Sequence, residues 1–382
     1  MIKIAVILAG GKGERMMPIT EFQPKALVPV NGTPILKLQI MQLIKCGVTE
    51  IYVLTGYLGN QIQEYVNTLK LSTKVICVNS DPNLKPGERL VKSLNLIKGD
   101  FILLYCDNFI SDNGVVEKLL NSSMDVTLLL QKREIGNISI KNLIYAVYWG
   151  IERKRENPYV ELGYMAVRST NFVKYLTNTM DINLALEKFS KSNEVYFHEL
   201  FGNYDSLSDF KRYVDQNLQG KILILDRDGI INSKMEHRKY LTSMDQFVYN
   251  ENNLDIISYL GENKYNFVIA TNQPGVATGV VAESFLTELH QKITNDLRIR
   301  KINILTFYVC RHHWDDSCEC RKPKPGMLNQ AIKDFKLNRK DLCFIGDEDK
   351  DMVAAAAAKV RGIKFSPNDH KLNLSLANSL IN

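Results

Sequence analysis

The sequence predicts an α/β protein with two doubly wound domains, because two parallel-sheet patterns follow one another along its 382 residues. In each pattern, short apolar runs of strand length alternate with longer segments of helical periodicity, as in a sheet covered by helices on both faces. Each pattern opens with an apolar run that ends in glycine or aspartate, and functional groups of such sheets collect at strand ends. The predicted domains are residues 1–215 and 220–382.

Four short apolar runs predict the strands of the first domain. The first, from Ile2 to Leu8, leads into two glycines, and a helical pattern at Ile35–Cys46 separates it from the second. Runs this short and apolar are typical of strands buried on both faces. The other three are Ile51–Thr55, Val75–Val78 and Phe101–Tyr105.

The second domain repeats this pattern after a polar boundary near Val214–Gly220. Its first apolar run begins at Lys221 and ends at Asp226, while the alanine run Ala354–Ala358 suits a closely packed helix. Three further strand-like runs are Phe267–Thr271, Ile304–Val309 and Leu342–Ile345.

Composition narrows the class of partner. The net charge of +6 comes from scattered lysines and arginines, which favours small phosphorylated substrates over nucleic acid. No apolar run is long enough to span a membrane, so no membrane partner is predicted. Three of the seven cysteines lie in one cluster that looks like a metal site, and cysteine usage of this unpaired kind predicts a cytoplasmic location. Whether the chain forms an oligomer stays open.

One short stretch predicts a structural zinc site. Zinc prefers four tetrahedral ligands drawn from thiolate and imidazole. Cys310 and His312 form one tight pair, Cys318 and Cys320 form another, and His313 is a spare imidazole able to replace His312. Pairs this close together order a loop rather than a whole domain.

A set of polar residues in the second domain predicts phosphoryl chemistry. Two aspartates spaced by one residue can divide the work of carboxylate nucleophile and general acid–base. A hydroxyl and an ammonium can hold phosphoryl oxygens, and two later aspartates can hold a hard divalent cation. In chain order the set is Asp226, Asp228, Thr271, Lys322, Asp347 and Asp351.

This ordered set resembles the haloacid dehalogenase phosphatases over roughly Lys221 to Phe365. The Cys-x-His and Cys-x-Cys-Arg-Lys-Pro loop resembles the branch that holds D-glycero-D-manno-heptose 1,7-bisphosphate 7-phosphatase and histidinol-phosphate phosphatase. The resemblance implies a Rossmann-like fold without a large cap. It also implies that Asp226 is the nucleophile, that Asp228 is the general acid–base, and that the threonine and lysine grip the phosphoryl group.

The same resemblance implies the metal and substrate contacts. The implied Mg²⁺ ligands are Asp226, Asp347 and the backbone carbonyl of Asp228, with Asp351 as an outer support. Asn272 and Arg321 are implied substrate contacts, and zinc would order the loop that carries Arg321 and Lys322. Two departures leave the substrate open: Glu348 stands where the branch usually has a basic residue, and His237-Arg238-Lys239-Tyr240 replaces a loop that often reads His-Gly-Tyr.

The first domain carries a glycine-rich loop, Leu8-Ala9-Gly10-Gly11-Lys12-Gly13-Glu14-Arg15, directly after its first strand. Glycines let backbone N–H groups wrap phosphates closely. Lys25 follows at a proline-bounded position, where a fixed cation can meet a second anionic group. The passage from Met1 to Tyr213 resembles the sugar-phosphate nucleotidyltransferases.

That resemblance implies attack of a sugar 1-phosphate oxygen on the α-phosphate of an NTP, which depends on positioning and charge neutralisation. Arg15 would stabilise the leaving phosphates, Lys25 would bind phosphate oxygens, and Lys154 would be the sugar-phosphate lysine. A second Mg²⁺ would bind Asp107 and Asp205. The implied nucleotide-binding residues are Leu8, Ala9, Gly10, Gly11, Gly13 and Asp107. Arg89 lies in a segment where this family usually has small residues near the base and sugar. It would therefore either bind an anionic group of the substrate or change which nucleotide is used.

Together the halves predict a bifunctional enzyme of nucleotide-activated heptose synthesis for a bacterial surface polysaccharide. A sugar bisphosphate would lose its distal phosphate, and the remaining 1-phosphate would be nucleotidylated, with GTP favoured. One alternative keeps both reactions on a polyol phosphate or another sugar, with CTP or UTP. Another pairs an active phosphatase with an N-terminal domain that binds nucleotide without turnover.

Overall fold

The computed structural model describes the chain except for residues 31, 141–145, 149–153, 169, 202–203, 219, 237–238, 367–368 and 382. It contains two compact units. The first comprises Met1–Thr20 and Pro24–Asn217, and the second comprises Glu21–Gln23 and Leu218–Asn382. Within the described ranges, no helix is both long enough and apolar enough to cross a membrane.

The first unit is built on a mixed sheet. The strands of this sheet are β1 (Ile4–Ala9), β4 (Glu50–Thr55), β5 (Lys74–Asn79), β6 (Phe101–Tyr105), β8 (Val126–Lys132), β9 (Ile138–Ile140), β10 (Ala146–Tyr148), β11 (Tyr159–Val167) and β12 (Tyr196–Glu199). Two small antiparallel pairs lie outside it, β2 (Pro29–Val30) with β3 (Thr33–Pro34) and β7 (Asn108–Phe109) with β13 (Asp205–Ser206). The main path runs β10-β9-β11-β6-β1-β4-β5, with β8 on β11 and β12 on β8. The four predicted runs form the parallel centre, β6-β1-β4-β5. Strand β11 is antiparallel to β6, which the apolar runs alone did not reveal.

Helices cover both faces of this sheet. They are α1 (Ile35–Lys45), α2 (Gly59–Thr68), α3 (Pro86–Ser93), α4 (Asn113–Asn121), α5 (Thr170–Thr179), α6 (Ile182–Ser192) and α7 (Phe210–Arg212). Alternate residues of β1 enter two different cores, with Ala5 and Ile7 in one and Val6 and Leu8 in the other. Because side chains alternate across a strand, this division means that both faces are packed, as the predicted doubly wound fold requires.

The second unit has a parallel five-stranded sheet in the order β16-β15-β14-β17-β18. Its strands are β14 (Lys221–Leu225), β15 (Tyr265–Asn272), β16 (Asn303–Cys310), β17 (Cys343–Gly346) and β18 (Arg361–Lys364). Its helices are α8 (Glu251–Glu262), α9 (Glu283–Ile299), α10 (Gly326–Asp334), α11 (Asp349–Ala357) and α12 (His370–Ile381). The chain leaves β14 toward β15 and later crosses to β17 on the other side. The carboxyl end of β14 is therefore a topological switch point, where ligands bind in sheets of this kind. The predicted α/β class with two doubly wound sheets is confirmed.

Candidate active sites

A cavity of about 250 Å³ lies at this switch point of the second unit. Strand β14 delivers Asp226 to it, β15 delivers Thr271, and a later loop delivers Lys322. All three are buried, with exposed fractions of 5%, 0% and 2%. The sequence placed Asp226 and Thr271 at strand ends and Lys322 after the cysteine cluster, and the fold brings all three to one cavity.

The Lys322 ammonium is the electrostatic centre of this cavity. Its Nζ lies 2.7 Å from Asp226 Oδ2 and 2.8 Å from Asp351 Oδ1. Burial alone would lower the lysine pKa, but the two carboxylates raise it. Burial also raises the pKa of Asp226 to about 6, although Lys322 opposes that shift. At neutral pH the pair is therefore a buried ammonium beside a carboxylate that is largely ionised.

Three buried carboxylates come close enough to share one cation. Oxygens of Asp226, Asp347 and Asp351 all lie within 4.8 Å of one another. Asp347 Oδ1 is buried with no hydrogen-bond partner among the described atoms, as expected for an oxygen that faces a cation. Gly229 has φ +88°, and a Cβ there would lie 2.3 Å from Asp347 Oδ2. Only glycine therefore lets this carboxylate approach the loop after Asp228.

Both oxygens of Asp351 already have partners. Oδ1 faces Lys322, and Oδ2 accepts a hydrogen bond of 3.0 Å from the Glu348 N–H at the start of α11. This arrangement leaves Asp351 to hold Lys322 and the turn in place, while Asp226 lines the cavity itself.

Asp228 is held by side chains that the sequence analysis did not select. Arg227 donates two hydrogen bonds from Nη2, at 2.9 and 3.0 Å, and Asn232 and Gln273 donate at 2.9 and 2.8 Å. Burial raises the pKa of Asp228, yet Arg227 and these hydrogen bonds outweigh it and lower the pKa. Gln273 also donates to Thr271 Oγ1 at 2.9 Å, so one amide links the two residues.

Asn272 has a structural contact as well as a place in the cavity wall. Its amide donates to Lys322 O at 3.0 Å, and its Oδ1 accepts from Lys322 N at 3.1 Å. The neighbouring Arg321 has a buried Nη1 without a described hydrogen-bond partner, and it also lines the cavity. A guanidinium nitrogen in this position is available to an anionic ligand.

Glu348, which stands where the phosphatase branch usually has a basic residue, forms ion pairs with two lysines. Glu348 accepts from both Lys234 and Lys350, and these lysines bring its pKa down to about 2 although burial opposes them. Lys234 Nζ also lies 2.6 Å from Asp347 Oδ2. All three side chains of this cluster line the cavity. No motif in the sequence pointed to Lys234, while His237 and Arg238 lie outside the described residues.

Four soft ligand atoms meet in the loop after β16. The sulfur of Cys310 lies 3.7 Å from that of Cys318, which lies 3.6 Å from that of Cys320. His312 Nδ1 is 3.2 Å from the Cys320 sulfur. With Zn–S bonds of about 2.3 Å, two sulfurs of a tetrahedron lie about 3.8 Å apart, so the spacing suits one such ion. His313 instead points Nδ1 toward Asp315, at 3.3 Å.

In the first unit, the predicted residues Lys25 and Asp107 form an ion pair. Lys25 Nζ lies 2.9 Å from Asp107 Oδ2, with 13% and 25% of the side chains exposed. Strand β13 pairs with β7, and Leu207 N donates to Asp107 O at 2.8 Å, so the Asp205 segment runs beside Asp107. Asp205 accepts from Asn217 at 3.0 Å, and burial raises its pKa.

The other predicted residues of the first unit include both buried and exposed positions. Leu8 and Ala9 are buried at the end of β1, Gly11 and Arg15 are exposed, and Gly13 has φ +68°. Arg15 lies close enough to Asp209 to lower the pKa of that carboxyl, although backbone hydrogen bonding contributes more. Lys154 forms a backbone bridge with Gly136 and has an exposed side chain.

Comparison with known proteins assigns each unit to a class. A family model described as nucleotidyl transferase matches residues 4–128, and one described as polynucleotide kinase 3 phosphatase matches residues 221–376. A solved structure of apo UDP-glucose pyrophosphorylase is 16% identical in sequence and aligns with a TM-score of 0.50. The alignment covers 56% of this chain and 96% of the pyrophosphorylase chain. That likeness supports the nucleotidyltransferase fold of the first unit.

Curated relatives match the second unit. D-glycero-beta-D-manno-heptose-1,7-bisphosphate 7-phosphatase of Pasteurella multocida is 34% identical over 147 residues, covering 37% of this chain and 78% of the relative. The corresponding alpha-anomer phosphatase of Campylobacter jejuni is 36% identical over 154 residues, covering 40% of this chain and 86% of the relative. The chain is therefore an enzyme in which a nucleotidyltransferase is fused to a phosphatase, and it belongs to the D-glycero-D-manno-heptose-1,7-bisphosphate 7-phosphatase family.

Proposed function

We propose that residues 220–382 form a domain that removes the distal phosphate of D-glycero-D-manno-heptose 1,7-bisphosphate. Residues 1–215 would then transfer a nucleotidyl group from an NTP, with GTP favoured, to the remaining sugar 1-phosphate. The product is a nucleotide-activated heptose for a surface polysaccharide. The observation that carries the proposal is the buried Asp226–Lys322 pair in a cavity lined by a second aspartate and a free guanidinium nitrogen.

In the phosphatase step, the Asp226 carboxylate attacks phosphorus and forms an aspartyl phosphate as the ester bond breaks. Because the pKa of Asp228 is lowered in the free site, its carboxylate must take up a proton when substrate binds. It then donates this proton to the leaving oxygen and accepts one from the water that hydrolyses the aspartyl phosphate. Lys322 and Thr271 hold the phosphoryl oxygens. Since Arg227 and Gln273 hold Asp228 firmly, its carboxyl stays within reach of the leaving group.

The donor sets fit the predicted metals. Asp226, Asp347 and the carbonyl of Asp228 would hold Mg²⁺, with Asp351 as the outer support, and the unpartnered Asp347 Oδ1 suits such an ion. A hard divalent cation there neutralises phosphoryl charge. Three thiols and an imidazole within 4.8 Å of one another suit zinc, which would order the loop that carries Arg321 and Lys322.

In the nucleotidyltransferase step, the chain mainly positions charges. Backbone N–H groups of Gly10 and Gly11 would face the triphosphate, Lys25 would bind phosphate oxygens, and Arg15 would stabilise the departing pyrophosphate. Asp107 and Asp205 would hold a second Mg²⁺. The Lys25–Asp107 contact supports this assignment, because it sets a cation and a metal-binding carboxylate side by side.

A second candidate keeps both reactions and changes the metabolite to a polyol phosphate or another sugar, with CTP or UTP. The cluster of Glu348, Lys234 and Lys350 favours this candidate, because Glu348 puts a carboxylate in the cavity wall where the branch usually has a basic side chain.

A coupled assay separates the candidates. Purified protein is given each anomer of the heptose bisphosphate, Mg²⁺ and one NTP at a time, and phosphate and pyrophosphate are measured separately. Phosphate followed by pyrophosphate with GTP is the expected result. Pyrophosphate with CTP or UTP, or faster turnover of hexitol or glycerol phosphates, favours the second candidate. Release of neither product from any combination would refute both.

A further inference from the structure

Arg89 lies inside the first unit rather than on its surface. It belongs to α3, and 2% of it is exposed. Its Nη2 donates to three backbone carbonyls, those of Gly10 at 3.3 Å, Asp81 at 3.2 Å and Leu84 at 3.1 Å. Its Nη1 donates to Thr55 O and Ser80 Oγ. The fork therefore ties together the loops that follow β1, β4 and β5.

Two glycines make room for this guanidinium. A Cβ on Gly10 would lie 2.2 Å from the central carbon of the Arg89 fork, and a Cβ on Gly56 would lie 2.4 Å from Nη1. Any side chain at either position would displace the arginine. The loop glycines and Arg89 thus form one packed arrangement behind the glycine-rich loop.

The guanidinium is not arranged to bind an anion directly. Both terminal nitrogens are occupied by protein oxygens, and within the described residues no carboxylate lies in ion-pair contact with it. A buried cation is costly unless it is fully hydrogen-bonded, and the carbonyl contacts meet that requirement through charge-assisted bonds. Of the two roles predicted for Arg89, direct recognition of an anion does not fit these contacts.

The contact with Gly10 has a geometric consequence for Gly11. In a trans peptide the carbonyl oxygen and the following N–H point in opposite directions. Arg89 and the Tyr57 N–H, at 3.1 Å, hold the Gly10 oxygen on the inner side, so the Gly11 N–H faces outward. Gly11 is exposed, and a Cβ there would meet no atom within 4 Å. The outward side is therefore open.

We infer that Arg89 is a positioning residue of the nucleotide site, which fixes the Gly10–Gly11 peptide from behind so that the Gly11 N–H faces the triphosphate. This inference rests on the proposed nucleotidyltransferase function of the first unit. The ligand it concerns is the phosphate chain of the NTP and not the base. Pre-set backbone donors bind phosphate without first paying to order the loop.

The test uses the full chain with Arg89→Met and Arg89→Lys, and inorganic tripolyphosphate as the probe in calorimetry. Both variants should bind tripolyphosphate about tenfold or more weakly, since lysine cannot make the forked contacts. Where turnover is present, KM for the NTP should rise in the same proportion, while KM for the sugar 1-phosphate changes less than about twofold. The nearly unchanged KM for the sugar 1-phosphate reports on whether the first unit is folded, while phosphate release reports only on the second unit.

Arg168→Met is the matched control. Arg168 is also an arginine of the first unit that binds carbonyls, those of Ser122 and Leu120, together with Asp100 at 2.6 Å, but it is far along the chain from the glycine-rich loop. It should leave tripolyphosphate binding unchanged. Wild-type binding in Arg89→Lys, equal losses for both substrates, or no binding by the wild type would each overturn the inference. Binding without pyrophosphate release would instead defeat the proposed function and leave the inference standing.

Discussion

The two candidate sites differ in how deeply their charged side chains are buried and in how many of them are already in contact with one another. In the second unit, Lys322 and Asp351 are fully buried and in contact, and Asp226 joins them with 7% of its side chain exposed. In the first unit, the Lys25–Asp107 pair keeps some exposure, and Arg15 lies at the surface. A covalent mechanism needs a desolvated nucleophile in fixed geometry, whereas nucleotidyl transfer depends on groups that the substrate itself helps to arrange.

The largest expected effect separates the two sites completely. Asp226→Asn removes the nucleophile, so phosphate release should fall at least about 10³-fold. Pyrophosphate release from supplied sugar 1-phosphate and NTP should be unchanged, because the first unit does not use this carboxylate. The two products are measured side by side, and Asp255→Asn, at an exposed position of α8, is the control. Loss of both activities would contradict the assignment of one reaction to each unit.

The reciprocal change tests the first unit. Lys25→Gln removes the cation beside Asp107, and pyrophosphate release should fall about 10²- to 10³-fold, the usual loss for one electrostatic contact in a transition state. Phosphate release should not change. Lys3→Gln is a suitable control, because the Lys3 ammonium donates to Gly47 O at 3.2 Å on an exposed part of the same unit. Normal pyrophosphate release in Lys25→Gln would remove Lys25 from the site.

Loss of the loop metal should have a smaller effect that is confined to one unit. Cys320→Ala removes one of four ligands, so bound zinc should fall from about one per chain toward zero, and phosphate release about 10- to 100-fold. Zinc is measured by mass spectrometry of the purified protein. Cys77→Ala, in β5 of the first unit, should keep both zinc and activity. A wild-type chain without zinc would refute the metal assignment.

The sequence predicted the fold class and the central strands of both sheets because their signals were local. The run Phe101–Tyr105 is a strand with the predicted bounds, and the helix predicted at Ile35–Cys46 ends one residue earlier. The antiparallel β11 was missed because its pairing joins residues far apart in the chain, and periodicity carries no information about direction.

In the candidate sites too, contacts between side chains that are far apart in the sequence could not be predicted. Asp226 was selected because it ends a strand-like run, and Lys322 because it follows the cysteine-rich loop and supplies the ammonium that a phosphoryl group needs. Lys234 was missed because its partners, Asp347 and Glu348, follow more than a hundred positions later. Arg89 was noticed only as a departure, since its carbonyl partners leave no signature in the sequence.

The smallest expected effect concerns the support of Asp228. His290 on α9 is 1% exposed, its Nε2 lies 3.2 Å from Arg227 Nη1, and it stacks on Phe307 with centroids 4.0 Å apart. Burial, with Arg227 and Arg311, lowers its pKa well below the usual value. Below about pH 6.5 the unfolded chain therefore binds a proton that the folded chain refuses, so stability falls as pH falls.

The expected slope is about 1.4 kcal/mol per pH unit below pH 6.5, until the folded histidine itself titrates. Asp226 acts in the opposite sense, because its raised pKa of about 6 lets the folded chain bind a proton first. The difference between wild type and His290→Asn cancels that contribution. In chemical unfolding of the second unit between pH 7.5 and 5.5, the stability of the wild type should fall relative to that of His290→Asn as pH drops below about 6.5. His370→Asn, at an exposed position, should follow the wild type. Parallel profiles for wild type and His290→Asn would mean that His290 accepts a proton in the folded state, and that the Arg227 contact does not require a neutral ring.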